Sequence, residues 1–219
     1  MGYELYWISG SPYSWRVMLA LEIKGLDYLS HRLDPEKGEH KTREYLAMNP
    51  HGKVPVLTDG DTIIYESMAI LAYLEARHPE PALLGATPEE TGHIWQRVFE
   101  VENYIREPGA NVAMPILFGG IEEKKDDIIA CAKVCHAELA RLDKILSESA
   151  NLAGDRLSAA DIAFYPFLKI LQRALGHEDA KPLNLGFDDF EGLYPKITQW
   201  AGRMESMPGY DKTIPPHWR

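Results

Sequence analysis

Strand signals occupy only the first 80 residues of this chain, and their order is restrictive: strand, helix and strand, then a loop, then two strands and a helix. ELYWIS (4–9) is aromatic and β-branched, as a strand should be. PYSWRVMLALEIKG (12–25) follows with helical spacing, sets Val17, Ala20 and Leu21 on one face and ends at Gly25, a natural residue just past a helix C-terminus. YLSHRLD (28–34) reads as the second strand. A βαβ unit this short implies parallel strands with a right-handed crossover. After a polar stretch (36–44), KVPVL and TIIYE flank Asp59-Gly60-Asp61, the chemistry of a tight hairpin turn. Glu66 and Ser67 open the helix MAILAYLEARH, which Pro79 and Pro81 stop. The order predicts a small α+β layer domain with mixed strand direction.

After residue 81 the strand signals vanish. PEPALLGATPEE (79–90) is punctuated by proline and glycine, and from His93 to about Met207 the pattern is helical, with breaks expected at Pro108-Gly109, Gly119-Gly120, Gly154 and Pro182 to Gly186. The predicted organisation is therefore an α+β domain over 1–80, a linker over 81–90 and an all-helical bundle over 91–219. A length of 219 residues with 45% apolar positions gives each part enough material for a core and excludes disorder. There is no internal repeat, and no GxGxxG, Walker, HExxH or GxSxG motif.

The charge of −10 is spread along the chain, with 8 basic and 12 acidic residues in 1–80 and 15 and 21 in 81–219. No basic stripe is available to displace counterions from phosphates, so the balance points to a small-molecule partner rather than nucleic acid. The longest apolar runs fall far short of the ~20 residues that span a bilayer, and MGYELYW lacks the basic and apolar regions of a signal peptide. A cytoplasmic protein without membrane contact is expected. Cys131 and Cys135 stand four apart in a helical pattern, on one face, which rules out a local disulfide. CAKVCH offers Cys131, Cys135 and His136 to a metal, but no fourth ligand has a suitable spacing, and no metal is expected.

Several residues stand where chemistry and ordinary folding both have uses for them. In SGSPYSW (9–15) a strand hands over to a helix; Ser11 or Ser14 either caps that helix, with Pro12 in its first turn, or shares its unpaired N–H groups and positive dipole end with an anion. Val54-Pro55 is either a trans edge-strand proline or a cis bond that turns the backbone of Val54 outward toward a peptide-like ligand. Glu66-Ser67 repeats the helix-start geometry. His40 and Lys41 belong to a charged loop that is either solvated or holds a carboxylate. Ser158 and Asp161 have the spacing of a capping box, flanked by Leu157 and Ile162.

Taken in order, these segments resemble a cytosolic glutathione transferase, and the resemblance spans essentially the whole chain. SGSPYSWRVMLAL resembles the serine-type active-site segment of the zeta and tau classes, GEHKTREYLAMNPHGKVPVLTDGDTIIYESMAI the phi-class glutathione segment, and AGDRLSAADIAF the family's folding motif in the helical domain. The resemblance implies a thioredoxin-like domain followed by an all-α domain, the glutathione transferase fold, working as a homodimer. It implies that glutathione is a co-substrate whose thiol is held as thiolate and conjugated to an electrophilic, mostly hydrophobic molecule. A peroxidase, dehalogenase or isomerase on the same site, or a binding module without turnover, are the alternatives.

By position, Ser11 resembles the family's catalytic serine, with Ser14 a donor behind it. Tyr13, and more remotely Tyr6, are rivals for the thiol. A free thiol has a pKa of about 8.5, and a hydrogen bond to the thiolate worth about 1.5–3 kcal/mol lowers it by roughly one to two units. The resemblance further implies that His40 and Lys41 hold the glycine carboxylate, that Lys53 and Val54 meet the peptide backbone beside cis-Pro55, and that Glu66 and Ser67 hold the γ-glutamyl end. Arg16 is implied to be a structural ion-pair partner. Ser11-Pro12-Tyr13 departs from the Ser-Ser-Cys of maleylacetoacetate isomerases, and the segment has no cysteine for thiol exchange. Tyr104, Met114, Phe118 and Trp218 are the apolar candidates for the electrophile site, which the helical domain is expected to line.

Overall fold

The computed structural model describes residues 2–218. It divides the chain into two compact units, one running to Leu84 and resumed from Glu205, the other Gly85–Met204. The stretch after Met204, predicted as part of the helical domain, thus packs with the first unit.

In the first unit β1 (Tyr3–Trp7), α1 (Pro12–Ile23), β2 (Tyr28–Arg32), α2 (Arg43–Met48), β3 (Val56–Asp59), β4 (Thr62–Tyr65) and α3 (Ser67–Arg77) follow one another. The sheet order is β2-β1-β3-β4, with β1 and β2 parallel and β3 antiparallel to both β1 and β4. The strand predicted over KVPVL begins only at Val56, because the Val54–Pro55 bond is cis and proline offers no N–H to a ladder. A second cis bond, Glu80–Pro81, has no counterpart in the predictions. The core joins Leu5 of β1, Val56 and Leu57 of β3, Val17, Ala20 and Leu21 of α1, and Ile70, Leu71 and Leu74 of α3.

Helix α1 is enclosed on more than the predicted face. Trp15, Met18 and Leu19 are buried as well. The later segment supplies part of the cover: Trp15 Nε1 donates to Thr213 Oγ1 at 2.9 Å, in the short helix Tyr210–Thr213. The predicted linker is partly absorbed in the same way. Lys24 Nζ, fully buried, donates to Glu75 Oε2 (2.7 Å), His78 O (2.6 Å) and Pro81 O (2.8 Å), while the Glu75 carboxylate accepts from Leu83 N and Leu84 N. One buried ion pair thereby ties the chain beyond α3 to the first unit.

The second unit is helical: α4 (Pro88–Glu100), a π-helical turn (Val101–Ile105), α5 (Arg106–Phe118), α6 (Ile121–Glu148), α7 (Ala159–Leu175), α8 (Phe190–Leu193) and most of α9 (Pro195–Glu205). The break predicted at Pro108-Gly109 does not occur. Pro108 instead stands just after the π-helical turn, in a helical run that passes without a gap from α4 into α5. Gly119 and Gly120, at φ 92° and 107°, do separate α5 from α6. The capping box at Ser158 and Asp161 is formed, and the Asp161 carboxylate, fully buried, also accepts from Leu152 N and Trp200 Nε1. Burial pushes the Asp161 carboxyl up against the pull of these bonds.

His136 of α6 lies flat on Phe187, with ring centroids 3.7 Å apart, and bonds to Tyr194 Oη (2.5 Å) and Leu185 O (2.8 Å). Cys131 and Cys135 are free thiols, and burial pushes that of Cys135 up to about 12. Among the described residues no helix is long and apolar enough to cross a membrane.

Candidate functional site

The strand pairing decides which loops can meet. Tyr6 of β1 pairs with Val56 at the start of β3, and Val56 pairs with Tyr65 at the end of β4. The exit of β1, the entrance of β3 and the exit of β4 therefore share one end of the sheet. The exit of β2 joins them, since Leu33 N donates to Trp7 O at 2.7 Å. Each predicted site segment follows or precedes one of these strand ends: Ser11 to Ser14 after β1, His40 and Lys41 after β2, Lys53 to Pro55 before β3, and Glu66 and Ser67 after β4.

Ser11 is the N-cap of α1, with Pro12 in the first turn. Its Oγ accepts from Ser14 N at 3.3 Å, which uses a lone pair and leaves the hydroxyl proton to donate elsewhere. The Ser14 hydroxyl is enclosed and has no partner among the described residues. A buried hydroxyl in that condition costs about 1–3 kcal/mol, so it calls for an explanation at the site rather than in the core. Tyr13 lies in the same turn, its ring 5.2 Å from the Arg16 guanidinium carbon. Tyr6 belongs elsewhere: it stacks on His31 at 4.4 Å, its hydroxyl donates to Glu4 Oε2 at 3.3 Å, and burial beside Glu4 raises its pKa. A phenol already committed to a carboxylate is a poor rival to Ser11.

Arg16 is 1% exposed, and its Nη1 donates to Ser67 Oγ at 3.4 Å. That bond couples the starts of α1 and α3, and it fills an acceptor position of Ser67 while leaving the hydroxyl proton. Glu66 precedes Ser67 with φ 71° and ψ 114° and makes no side-chain cap. A non-glycine residue held there carries strain of about 1–3 kcal/mol, and such residues concentrate at ligand clamps.

Lys41 Nζ donates to Gly52 O (2.9 Å) and His51 O (3.4 Å), so the charged loop is docked on the turn that leads into Pro55. Gly52 is required for that docking: at φ 56°, a Cβ there would stand 2.7 Å from Lys41 Nζ and 2.9 Å from His40 O. The Nδ1 of His40 is buried without a partner among the described residues. Lys53 O accepts from Tyr45 Oη and Asn49 Nδ2, both at 2.8 Å, so the backbone entering Val54 is held from behind. Tyr45 and Asn49 were not among the predicted site residues. Asn49-Pro50 is a turn signal that marks the spot, but nothing local shows that its side chain reaches four residues ahead.

The predicted apolar candidates separate. Tyr104, Met114 and Phe118 are exposed on the helical unit, Met114 and Phe118 one turn apart on α5. Trp218 is not on that unit; it packs edge-on against Trp15 of α1, centroids 5.4 Å apart. Cys131, Cys135 and His136 form no cluster that would hold a metal among the described residues, and both ring nitrogens of His136 are engaged.

Residues 5–82 match the family model described as "Glutathione S-transferase, N-terminal domain", and residues 122–203 that of "Glutathione S-transferase, C-terminal domain". The chain is 38% identical to glutathione S-transferase 1 of Dianthus caryophyllus over 169 residues, 74% of each chain. It is 29% identical to glutathione S-transferase A of Pleuronectes platessa over 219 residues, 98% of this chain and 92% of that one. Among solved structures, a glutathione S-transferase from the Antarctic clam Laternula elliptica superposes with a TM-score of 0.81 at 30% identity, covering 100% of this chain and 94% of that one.

Proposed function

The chain belongs to the glutathione S-transferase family, and from that premise we propose that Ser11 activates the thiol of bound glutathione for attack on an electrophilic, largely apolar small molecule. One observation carries the assignment. The cap geometry at Ser11 occupies an acceptor position of its hydroxyl through Ser14 N and leaves the proton free at the positive end of α1. A sulfur placed there gains a hydrogen bond and a favourable potential only when it is anionic, which lowers its pKa. The thiol proton passes to solvent water, the thiolate attacks the electrophilic carbon, the S–C bond forms, and the leaving group departs with the electron pair.

The rest of the tripeptide would be held by groups with spare capacity. His40 and Lys41 take the glycine carboxylate, which supplies the acceptor that His40 Nδ1 lacks. Lys53 and Val54, beside Pro55, meet the peptide backbone, since β3 begins its ladder only at Val56. Glu66 and Ser67 take the γ-glutamyl end, where the carboxylate meets the start of α3 and the ammonium meets Glu66. Ser14 supports Ser11 from beneath the surface. The enzyme would use glutathione as a substrate, need no metal, and act as a homodimer in detoxification in the cytoplasm.

The test is a pH titration of the ultraviolet thiolate absorbance of bound glutathione in the native protein, in Ser11→Ala and in Tyr13→Phe. A midpoint about one to two units below that of free thiol, lost only in Ser11→Ala, is expected. If Tyr13→Phe abolishes it and Ser11→Ala does not, the donor is Tyr13. If the native protein binds no thiolate, conjugation by thiol activation is wrong.

A further inference from the structure

The turn that delivers Ser11 to the start of α1 is braced by a segment more than 200 residues away. Ser11 N donates to Ile8 O at 3.1 Å, closing a turn with Ser9 and Gly10 at its centre. Gly10 has φ 85° whereas Ser9 does not have positive φ, which is the pattern of a type II turn. Both central residues are met by His217. Ser9 Oγ lies 2.8 Å from His217 Nδ1, and a Cβ built on Gly10 would stand 3.1 Å from His217 Cε1, so the imidazole rests against the Gly10 backbone.

The tautomer follows from its neighbours. Trp218 Nε1, which can only donate, lies 2.9 Å from His217 Nε2. Nε2 therefore accepts, the neutral ring carries its proton on Nδ1, and Nδ1 donates to Ser9 Oγ. The segment that presents His217 is anchored along α1 in the reverse direction: Lys212 Nζ to Glu22 Oε2 (3.1 Å), Thr213 Oγ1 to Trp15 Nε1 (2.9 Å), and the Trp218 ring edge-on to Trp15. Trp15 and Thr213 are each 2% exposed, so this attachment is part of the core.

We propose that His217 is a positioning residue for thiol activation: through Ser9 and Gly10 it holds the turn that aims the Ser11 hydroxyl. The proposal rests on the assignment of Ser11 as thiol donor. A turn released from His217 still folds, since the Ile8–Ser11 bond and the α1 cap do not involve it. What it loses is the fixed placement of Ser11 relative to the sulfur, and a hydrogen bond to an anion weakens steeply with misalignment.

The experiment compares the native enzyme with His217→Ala, Ser9→Ala, the double variant, His217→Asn and Ser11→Ala. For each, the thiolate absorbance of bound glutathione is titrated, and kcat and KM for glutathione are measured with a halonitrobenzene. Misalignment that costs about half of that hydrogen bond predicts a thiol midpoint raised by about 0.5–1 pH unit in His217→Ala and a kcat/KM at pH 6.5 lower by about three- to tenfold. At pH 9, where thiolate forms without help, kcat stays within about twofold of native. Ser9→Ala, which leaves the histidine and its packing in place, should show the same shift, and the double variant no more than either single one. His217→Asn, whose amide can stand where Nδ1–H stood, should recover most of the loss.

Unchanged midpoints in both single variants, beside a raised one in Ser11→Ala, overturn the positioning role and leave the Ser11 assignment intact. A midpoint indifferent to Ser11→Ala overturns both. An effect that appears only in unfolding temperature, or equally at pH 6.5 and pH 9, makes His217 a structural anchor and also overturns the proposal.

Discussion

Asp161 offers the sharpest quantitative test, because every group that depends on it is identified. Its carboxylate is fully buried and accepts four hydrogen bonds: from Leu152 N (3.0 Å), Ser158 N (2.9 Å), Ser158 Oγ (3.0 Å) and Trp200 Nε1 (2.9 Å). Asp161→Ala leaves all four donors in a closed interior. At about 1 kcal/mol for each stranded donor, the low end of the range, the change costs about 4 kcal/mol. For a protein of this size, that lowers the melting temperature by roughly 8–16 °C. Asp161→Asn keeps one oxygen, which can still serve Leu152 N and Trp200 Nε1, but sets an amide N–H against Ser158 N. The Ser158 hydroxyl can turn and accept, so about half the loss is expected, ~2 kcal/mol. Urea unfolding supplies the free energies, and hydrogen exchange at the Leu152 and Ser158 amides locates them. If Asp161→Ala costs less than about 1.5 kcal/mol, or Asp161→Asn costs as much as alanine, four stranded donors are not what the site provides.

Three further outcomes follow from buried polar groups elsewhere. Lys24→Met removes the ammonium shared by Glu75, His78 O and Pro81 O, and leaving that carboxylate without its cation should cost about 3 kcal/mol in chemical unfolding. Tyr45→Phe withdraws one of two donors to Lys53 O; because Asn49 keeps the other, KM for glutathione should rise about two- to fivefold with kcat and the thiolate titration unchanged. In the native protein Cys135, whose thiol is pushed up to about 12, should resist iodoacetamide at pH 8 by mass spectrometry. The sign of its effect on stability follows: the unfolded thiol ionises near 9 and the folded one near 12, so stability is undiminished below pH 9 and falls as pH rises toward 12, by an amount that Cys135→Ala removes.

Of the fold and the candidate site, the sequence revealed the parts that lie within a few residues of one another. The Ser158–Asp161 box spans three residues, and the Ser11 cap is closed by Ser14, so both could be recognised locally. The cis state of Val54–Pro55 was undecided, because either isomer suits the residues beside it. Tyr6 and Trp218 were misplaced for a related reason: residue type suggested a role, whereas β-register sets Tyr6 on His31 and packing on Trp15 carries Trp218 to the first unit. Pro108-Gly109 looked like a break because proline disfavours a helix interior; the helical run nevertheless passes through it, directly after a π-helical turn that no short stretch of sequence reveals.

Hydrophobic period, turn chemistry and caps are properties of short stretches of chain. By themselves they determined the βαβ–ββα order, the helical second half and the segments that could carry an anion site. Which segments share one end of the sheet was decided by strand register. Tertiary packing alone decided that Arg16 reaches Ser67, that Lys24 is caged by residues 75–81, and that His217 rests on Ser9 and Gly10. Those partners are 51 to 208 positions apart, and a histidine or lysine carries no local mark of a partner at that distance. Burying α1 on several sides brings Arg16 and Lys24 within range of their partners, and once buried they must be paired; His217 stays exposed and is carried to Ser9 by the packing of its segment on Trp15.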